Sequence, residues 1–264
     1  MAADDIIEIR GLTSFYGRRK VLHDIRLGIP RNGVTVIMGR SGCGKTTLLR
    51  HLIGLKQTSR GQLFVDGQDF GAFGEDALKR YRRRIGVLFQ SGALFNSMTL
   101  RENISVPLGV HTKLADETIR IMALIKLHLV GLSGFDNYMP SQLSGGMRKR
   151  AGLARALAMD PEILFVDEPS SGLDPITAAG LDRLLVELKE TLGMTIIVVT
   201  HELESAFLIA DQLAVLDEGR VLALGSPDEI RASTDPKVVQ FLRREADQEE
   251  TDHSSYLEGL LRAG

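Results

Sequence analysis

The sequence predicts an α/β fold in which a parallel sheet is buried between covering layers, and three observations carry that expectation. Val34 to Met38, Ile163 to Val166 and Thr195 to Thr200 are short apolar or β-branched runs without the polar alternation of a half-exposed strand. Uninterrupted runs of this length suit strands covered on both faces. Each is followed at once by polar or glycine-rich residues: Gly39-Arg40-Ser41-Gly42, Asp167-Glu168 and His201-Glu202. Ligands of open α/β sheets sit beyond the carboxyl ends of the strands, so three separate segments are expected to deliver reactive groups to one edge.

The remaining elements follow in chain order. The N-terminal segment and Gly61 to Asp69 read as short strands joined by turns, a small antiparallel layer beside the main sheet. Residues from about Arg101 to Gly152 read as mostly helical, with Pro107 and Pro140 as breaks. Beyond Pro236, Val238, Val239, Phe241 and Leu242 can line one helix face, and Glu245 to Asp252 is strongly acidic. There is no internal repeat, so one nucleotide-binding module is expected.

Composition bounds the function. The 264 residues, 44% of them hydrophobic, suit one α/β domain or one carrying an inserted subdomain. A net charge of −2 argues against a nucleic-acid binder working through a general basic field. The single cysteine, Cys43, rules out an intrachain disulfide and a cysteine metal cluster. The opening Met-Ala-Ala-Asp-Asp carries acids where a signal peptide needs positive charge, and no stretch approaches the ~18 apolar residues of a membrane span. The chain is therefore expected to be soluble and intracellular, with another polypeptide crossing the bilayer if a membrane process is involved.

Gly39-Arg40-Ser41-Gly42-Cys43-Gly44-Lys45-Thr46 fits G-x-x-x-x-G-K-[ST] throughout, followed by the helical Thr47-Leu48-Leu49. Such a loop turns backbone N–H groups toward phosphate oxygens; Lys45 reaches the β- and γ-phosphates and the Thr46 hydroxyl ligates Mg²⁺. The helix start adds its positive end. Asp167, at a strand end, can hold the Mg²⁺ through its water shell, and Glu168 can orient or deprotonate the attacking water. These segments make ATP and Mg²⁺ the expected ligands. His201 ends the third strand, where it can sense a γ-phosphate; from spacing alone a structural or solvated histidine is the plainer reading. Gln90 has still less to single it out.

Leu143-Ser144-Gly145-Gly146-Met147, ahead of Arg148-Lys149-Arg150 and upstream of Asp167-Glu168, closely resembles the ABC signature motif. With it, residues of about 6 to 230 resemble an ABC ATPase. That resemblance implies a P-loop NTPase (RecA-like) parallel sheet core, an N-terminal antiparallel β layer and an inserted α-helical subdomain at about 91–152, the ATPase domain filling 1–235 and a C-terminal extension 236–264. It implies that Tyr16 stacks on adenine, that Gln90 touches Mg²⁺, that His201 is the switch histidine, and that Ser171-Gly172-Leu173-Asp174 crosses a dimer. Two copies would meet head to tail, each ATP lying between Lys45 of one and Ser144, Gly145, Gly146 and Asp174 of the other. Met147 departs from the commonest signature, which has Gln there.

The chain carries neither a second module nor a coiled-coil insertion, which favours transport over a soluble ABC role in repair or translation. Phe89 to Phe95, Pro107-Leu108, Met139-Pro140, Asp174 to Thr177 and Asp235 to Leu242 resemble the Mce/Mla-type lipid-transport ATPases. Ser170-Ser171-Gly172-Leu173 follows the commoner ABC pattern. The implied partners are an integral-membrane permease, an Mce-domain lipid-binding protein and a small cytosolic regulator, at the cytoplasmic face of a bacterial inner membrane; an importer of amino acids or other small solutes is the alternative. Three further expectations concern the surface and the loop. The run Lys79 to Arg84 is either a solvated helix face or a surface near headgroups or the permease. Val239 to Leu242, with Tyr256 to Leu261, would pack on the second copy. Alkylation of Cys43 would block ATP binding, and bound ATP would protect it.

Overall fold

The structure is a computed structural model that describes residues 5–244. Two long strands open it, β1 (Asp5–Tyr16) and β2 (Arg19–Pro30), where the sequence suggested short ones. They pair antiparallel, with register shifts that absorb extra residues and bend the ribbon. Next come β3 (Val34–Gly39) and α1 (Lys45–Leu52), the short strands β4 (Leu63–Val65) and β5 (Gln68–Asp69), then α2 (Glu75–Arg84) and β6 (Ile85–Leu88). A helical stretch follows with α3 (Leu100–His111), α4 (Asp116–Leu129) and α5 (Gly145–Ala156). The chain returns through β7 (Ile163–Asp167), α6 (Pro175–Leu192), β8 (Thr195–Thr200), α7 (Leu203–Ile209), β9 (Gln212–Asp217) and β10 (Arg220–Gly225) to α8 (Pro227–Arg231) and α9 (Pro236–Leu242).

The main sheet has the order β10-β9-β3-β8-β7-β6, parallel except for the edge strand β10. A second sheet, β2-β1-β4-β5, is antiparallel. The three apolar runs are neighbours in the middle of the main sheet, and their side chains divide between its faces. Val36, Leu164 and Val198 join a core shared with α3, α4, α5 and α6; Ile37, Phe165 and Ile197 join a core shared with β1, β2 and α1. A strand's period of two explains the split.

Pro107 does not break α3. It removes the amide that would bond the Asn103 carbonyl, but a reciprocal Thr99–Glu102 capping box and the buried Leu100, Ile104 and Leu108 hold the helix together. Pro140 does interrupt, opening a single 3₁₀ turn before α5. The end of the described chain packs inward. Val238 on α9 is fully buried in this chain's own core, and Phe241 and Leu242 lean on the same cluster. Tyr256 to Leu261 and the acidic Glu245 to Asp252 lie outside the described residues.

Candidate functional site

Parallel pairing aligns Met38 with Thr200 and Asp167 with Val199, so Gly39, Asp167 and His201 leave the sheet at one edge. They open into a cavity of about 950 Å³ lined by Gly39 to Gly42, Gly44 to Thr47, Gln90, Asp167, Glu168 and His201. Gly39 (φ +157°) is required by close approach, since a Cβ there would stand 2.2 Å from the Leu216 carbonyl oxygen. Gly44 (φ +111°) caps α1 and would meet Leu22 at 2.7 Å. Lys45 is buried, and its Nζ donates to the carbonyl oxygens of Gly39 (2.7 Å) and Arg40 (3.0 Å). The cation thus sits within the loop's own curve, backed by the α1 N-terminus, an arrangement suited to a polyanion.

Cys43 is different from its neighbours. Its carbonyl accepts from Gly219 N (2.9 Å), while its thiol is buried in the core beneath the loop and pushed up by that burial. Burial thus works against the expected alkylation in the folded chain, because a thiolate must both form and be reached.

At the end of β7, Asp167 carries a buried Oδ1 without a hydrogen-bond partner. Burial pushes its carboxyl up, the Glu168 charge adds to this, and Lys149, Lys45 and Arg50 oppose it. Asp167, with its orphaned carboxylate oxygen, lines one cavity with Thr46 and Gln90, and their oxygens are a hard donor set of a kind that fits Mg²⁺. Among the described residues no three His, Cys, Asp or Glu side chains form a metal cage.

Glu168 adopts a left-handed backbone (φ +47°), uncommon outside glycine and costing of order 1–3 kcal/mol. Its N–H donates to Val199 O (2.8 Å), and its carbonyl accepts from Lys149 Nζ (2.9 Å). Its Oε2 accepts from Thr200 Oγ1 (3.3 Å) and His201 N (3.4 Å) and lies 2.8 Å from His201 Nδ1. Lys149 is buried, which pulls its ammonium down against the Asp167 and Glu168 charges. Gln90 Nε2 donates to Ser171 Oγ (3.1 Å), linking the cavity to the Ser171–Asp174 loop.

Several expected residues stand outside this cavity. Ser144 caps α5, its Oγ accepting from Met147 N (3.2 Å), and Asp174 caps α6 by accepting from Ile176 N and Thr177 N. Gly145 lies beside Leu173, and the buried Gly146 packs against Thr177, so the start of α5 sits against the start of α6. Tyr16 is half-exposed against α1: its hydroxyl accepts from Arg50 (3.1 Å) and Lys56 Nζ stands 3.7 Å from its ring centroid. Val21, Leu203, the α9 residues Gln240 and Phe241, and Arg244 just beyond α9 also line the cavity, a placement that no local sequence pattern marks. The apolar face of α9 is legible in the sequence; within this chain Phe241 and Leu242 lean on the main core. Nothing in the sequence sets Lys149 apart from the arginines that flank it.

A second groove, of about 470 Å³, is lined by Arg82, Arg83, Phe95, Pro107, Val110 and Arg155 among others. Phe95 and Val110 expose apolar surface there. Arg84 is not part of it; this residue bonds Asp66 (2.7 Å) and Glu162 (2.6 Å) instead.

Comparison with known proteins returns one family. Residues 22–171 match the ABC transporter family. The probable ribonucleotide transport ATP-binding protein mkl of Mycobacterium leprae (strain TN) is 42% identical over 265 residues, 98% of this chain and 76% of that protein. The intermembrane phospholipid transport system ATP-binding protein MlaF of Haemophilus influenzae is 41% identical over 243 residues, 92% of each chain. A dimeric post-hydrolysis structure of the ATP-binding cassette MJ0796, bound to ADP and Pi, superposes with a TM-score of 0.75 at 31% identity, covering 84% of this chain and 98% of that one.

Proposed function

Because this chain belongs to the ABC transporter family and is one of its ATP-hydrolysing subunits, we propose that it drives a separate permease of the Mce/Mla type that moves phospholipid in a bacterial envelope. The observation that carries this cargo is the 41% identity, over 92% of both chains, with an ATP-binding protein of an intermembrane phospholipid transport system. Among the described residues no helix is long and apolar enough to cross a membrane. The groove beside Phe95 and Val110 is the proposed seat of the permease, at the cytoplasmic face of the inner membrane, with an Mce-domain protein and a small regulator as further partners.

In the proposed mechanism Lys45 and the N–H groups from Gly39 to Thr47 cradle the phosphates of ATP. Thr46, Gln90 and Asp167 would hold Mg²⁺, which when bound neutralises charge on the phosphate oxygens. Glu168 orients the attacking water and takes its proton; the His201 imidazole keeps that carboxylate in register through the 2.8 Å Nδ1 contact, at the edge where the γ-phosphate would lie. Water adds to the γ-phosphorus as the bond to ADP breaks. Ser144, Gly145, Gly146 and Asp174 serve the site of a second copy, so ATP closes the pair and its hydrolysis lets the pair reopen. Tyr16 stacks on the adenine.

A second reading has its own support, since the relative at 42% identity is named for ribonucleotide transport. Co-purification from native membranes of the tagged Glu168→Gln chain, which holds ATP unhydrolysed, tests both. Recovery of a permease with an Mce-domain protein and bound phospholipid supports the lipid reading. Recovery of a solute permease replaces it with the second, and a wholly soluble partner overturns both.

A further inference from the structure

Helix α5 connects two surfaces. At its start Ser144 accepts from Met147 N, and five residues on, Lys149 is buried with its Nζ 2.9 Å from the carbonyl oxygen of Glu168. That carbonyl belongs to the left-handed residue whose carboxylate meets His201. On its other side the same residue is held by Glu168 N donating to Val199 O at 2.8 Å. One clamp therefore comes from the sheet and the other from the signature helix.

The choice of an ammonium here is informative. Lys149 is only 6% exposed, and its Nζ bonds a neutral carbonyl rather than a carboxylate oxygen. Burying a charge without a close counter-ion costs several kcal/mol, so an apolar residue would fill this space with less penalty. What the amine adds is reach: a straight four-carbon stem carries a strong donor from the axis of α5 to the backbone of the β7 end. A helix of 12 residues moves as a unit, so displacement at Ser144 is carried to Lys149.

We propose that Lys149 is a positioning residue that couples the two ATP sites of the dimer: when Ser144 to Gly146 engage nucleotide held by the partner copy, Lys149 fixes the Glu168 backbone at this subunit's own site. The inference rests on the reading above, in which Ser144 acts in trans and Glu168 in cis. It supplies a route by which each site senses occupancy of the other through one helix.

The test uses the full chain assembled with its permease, comparing wild type with Lys149→Met, which keeps the stem and removes the donor. Wild type is expected to hydrolyse ATP with a Hill coefficient between 1 and 2, two being the ceiling set by two sites. Lys149→Met is expected to lower kcat about tenfold or more, to leave the Kd of a fluorescent ATP analogue within about twofold, and to bring the Hill coefficient to about 1. Lys149→Arg, which restores a donor of sufficient reach, is expected to recover both kcat and cooperativity. If the Met variant does not fold, Lys149→Gln, whose amide falls short of the carbonyl, carries the same test. An unchanged kcat, or a lowered kcat with cooperativity intact, overturns the proposal. Hydrolysis retained by Glu168→Gln would overturn the underlying assignment of Glu168 instead, so the two failures are distinguishable.

Discussion

Nδ1 of His201 lies 2.8 Å from Oε2 of Glu168, joining the end of β8 to the end of β7 across adjacent parallel strands. The carboxylate is mostly covered and the imidazole half-exposed, so the pair presents one buried and one open member to the cavity. Glu168→Gln keeps the size of the side chain and removes its basicity. Hydrolysis is expected to fall by roughly 10²-fold or more while ATP binding persists. His201→Ala should also slow hydrolysis, and the double variant should be little worse than Glu168→Gln alone, because groups acting as a unit are not additive. Steady-state ATPase rates of the three variants check this; full additivity would separate the two residues.

Much of this site is legible because its residues are contiguous. Gly39 to Thr46 is one loop, and Asp167-Glu168 and His201 each end an apolar run, so pattern and spacing expose them without a structure. The main sheet is legible for the same reason: its central strands are buried on both faces and show it in composition. What Lys149, Phe241 and Val238 pack against is not legible, because each meets something far along the chain: Glu168 for Lys149, the cavity of the phosphate loop for Phe241, the main core for Val238. Pro107 misleads for a related reason. Local propensity marks a break, and tertiary packing of α3 overrides it.

Just behind the phosphate loop, His51 joins α1 to the antiparallel sheet through Nε2 to Ser14 Oγ (2.9 Å) and Nδ1 to Thr58 Oγ1 (3.0 Å). Burial, with a smaller contribution from Lys56, pulls its pKa from 6.5 down to about 4. The folded chain thus resists a proton that the unfolded chain accepts. The stabilising effect is complete above pH 6.5 and is lost as pH falls toward 4, at about 1.4 kcal/mol per pH unit. His51→Gln is expected to be less stable than wild type at pH 7.5, with the gap narrowing at pH 5. Urea unfolding at both pH values measures it.

Cys43 should be nearly inert in the native protein despite its position in the loop. Burial both blocks access and disfavours the thiolate. Labelling by iodoacetamide at pH 7.5 is expected to be at least about tenfold slower than in urea-unfolded chain, and ATP should add little protection. Fast native labelling that ATP suppresses would restore the view that the thiol faces the nucleotide.

The basic run on α2 divides by function. Arg82 and Arg83 are exposed and border the groove beside Phe95, Arg82 also donating to the Gly54 carbonyl oxygen (2.8 Å), whereas Arg84 ties α2 to Asp66 and Glu162. Replacing Arg82 and Arg83 with Gln is expected to weaken assembly with the permease while ATP affinity and melting temperature stay near wild type. Arg84→Gln is expected to lower stability by about 1 kcal/mol, since it leaves two carboxylates without their shared partner. Complex yield from membranes, read beside thermal melts of the isolated chain, separates the two effects.

Helix α9 makes the last prediction, because adjacent residues on it differ sharply in what they touch. Val238 is fully buried in the main core, Val239 is only partly covered, and Phe241 reaches the nucleotide cavity. Asp235 caps the helix by accepting from Lys237 N and Val238 N, and Lys237 faces Asp217 at 3.7 Å, so the element is fixed to the body that carries the phosphate loop. Val238→Ala removes two buried methyl groups and is expected to cost about 2 kcal/mol, a melting shift of roughly 5 °C in a chain of this size. Val239→Ala should shift the melt by no more than about 1 °C. Deleting the chain from Pro236 onward removes the same anchor, so it should destabilise the isolated subunit even where no second copy is present. Thermal melts at dilute protein concentration decide the matter: a loss confined to Val239→Ala, or one that appears only when dimer forms, would mean that α9 packs outward rather than on its own subunit.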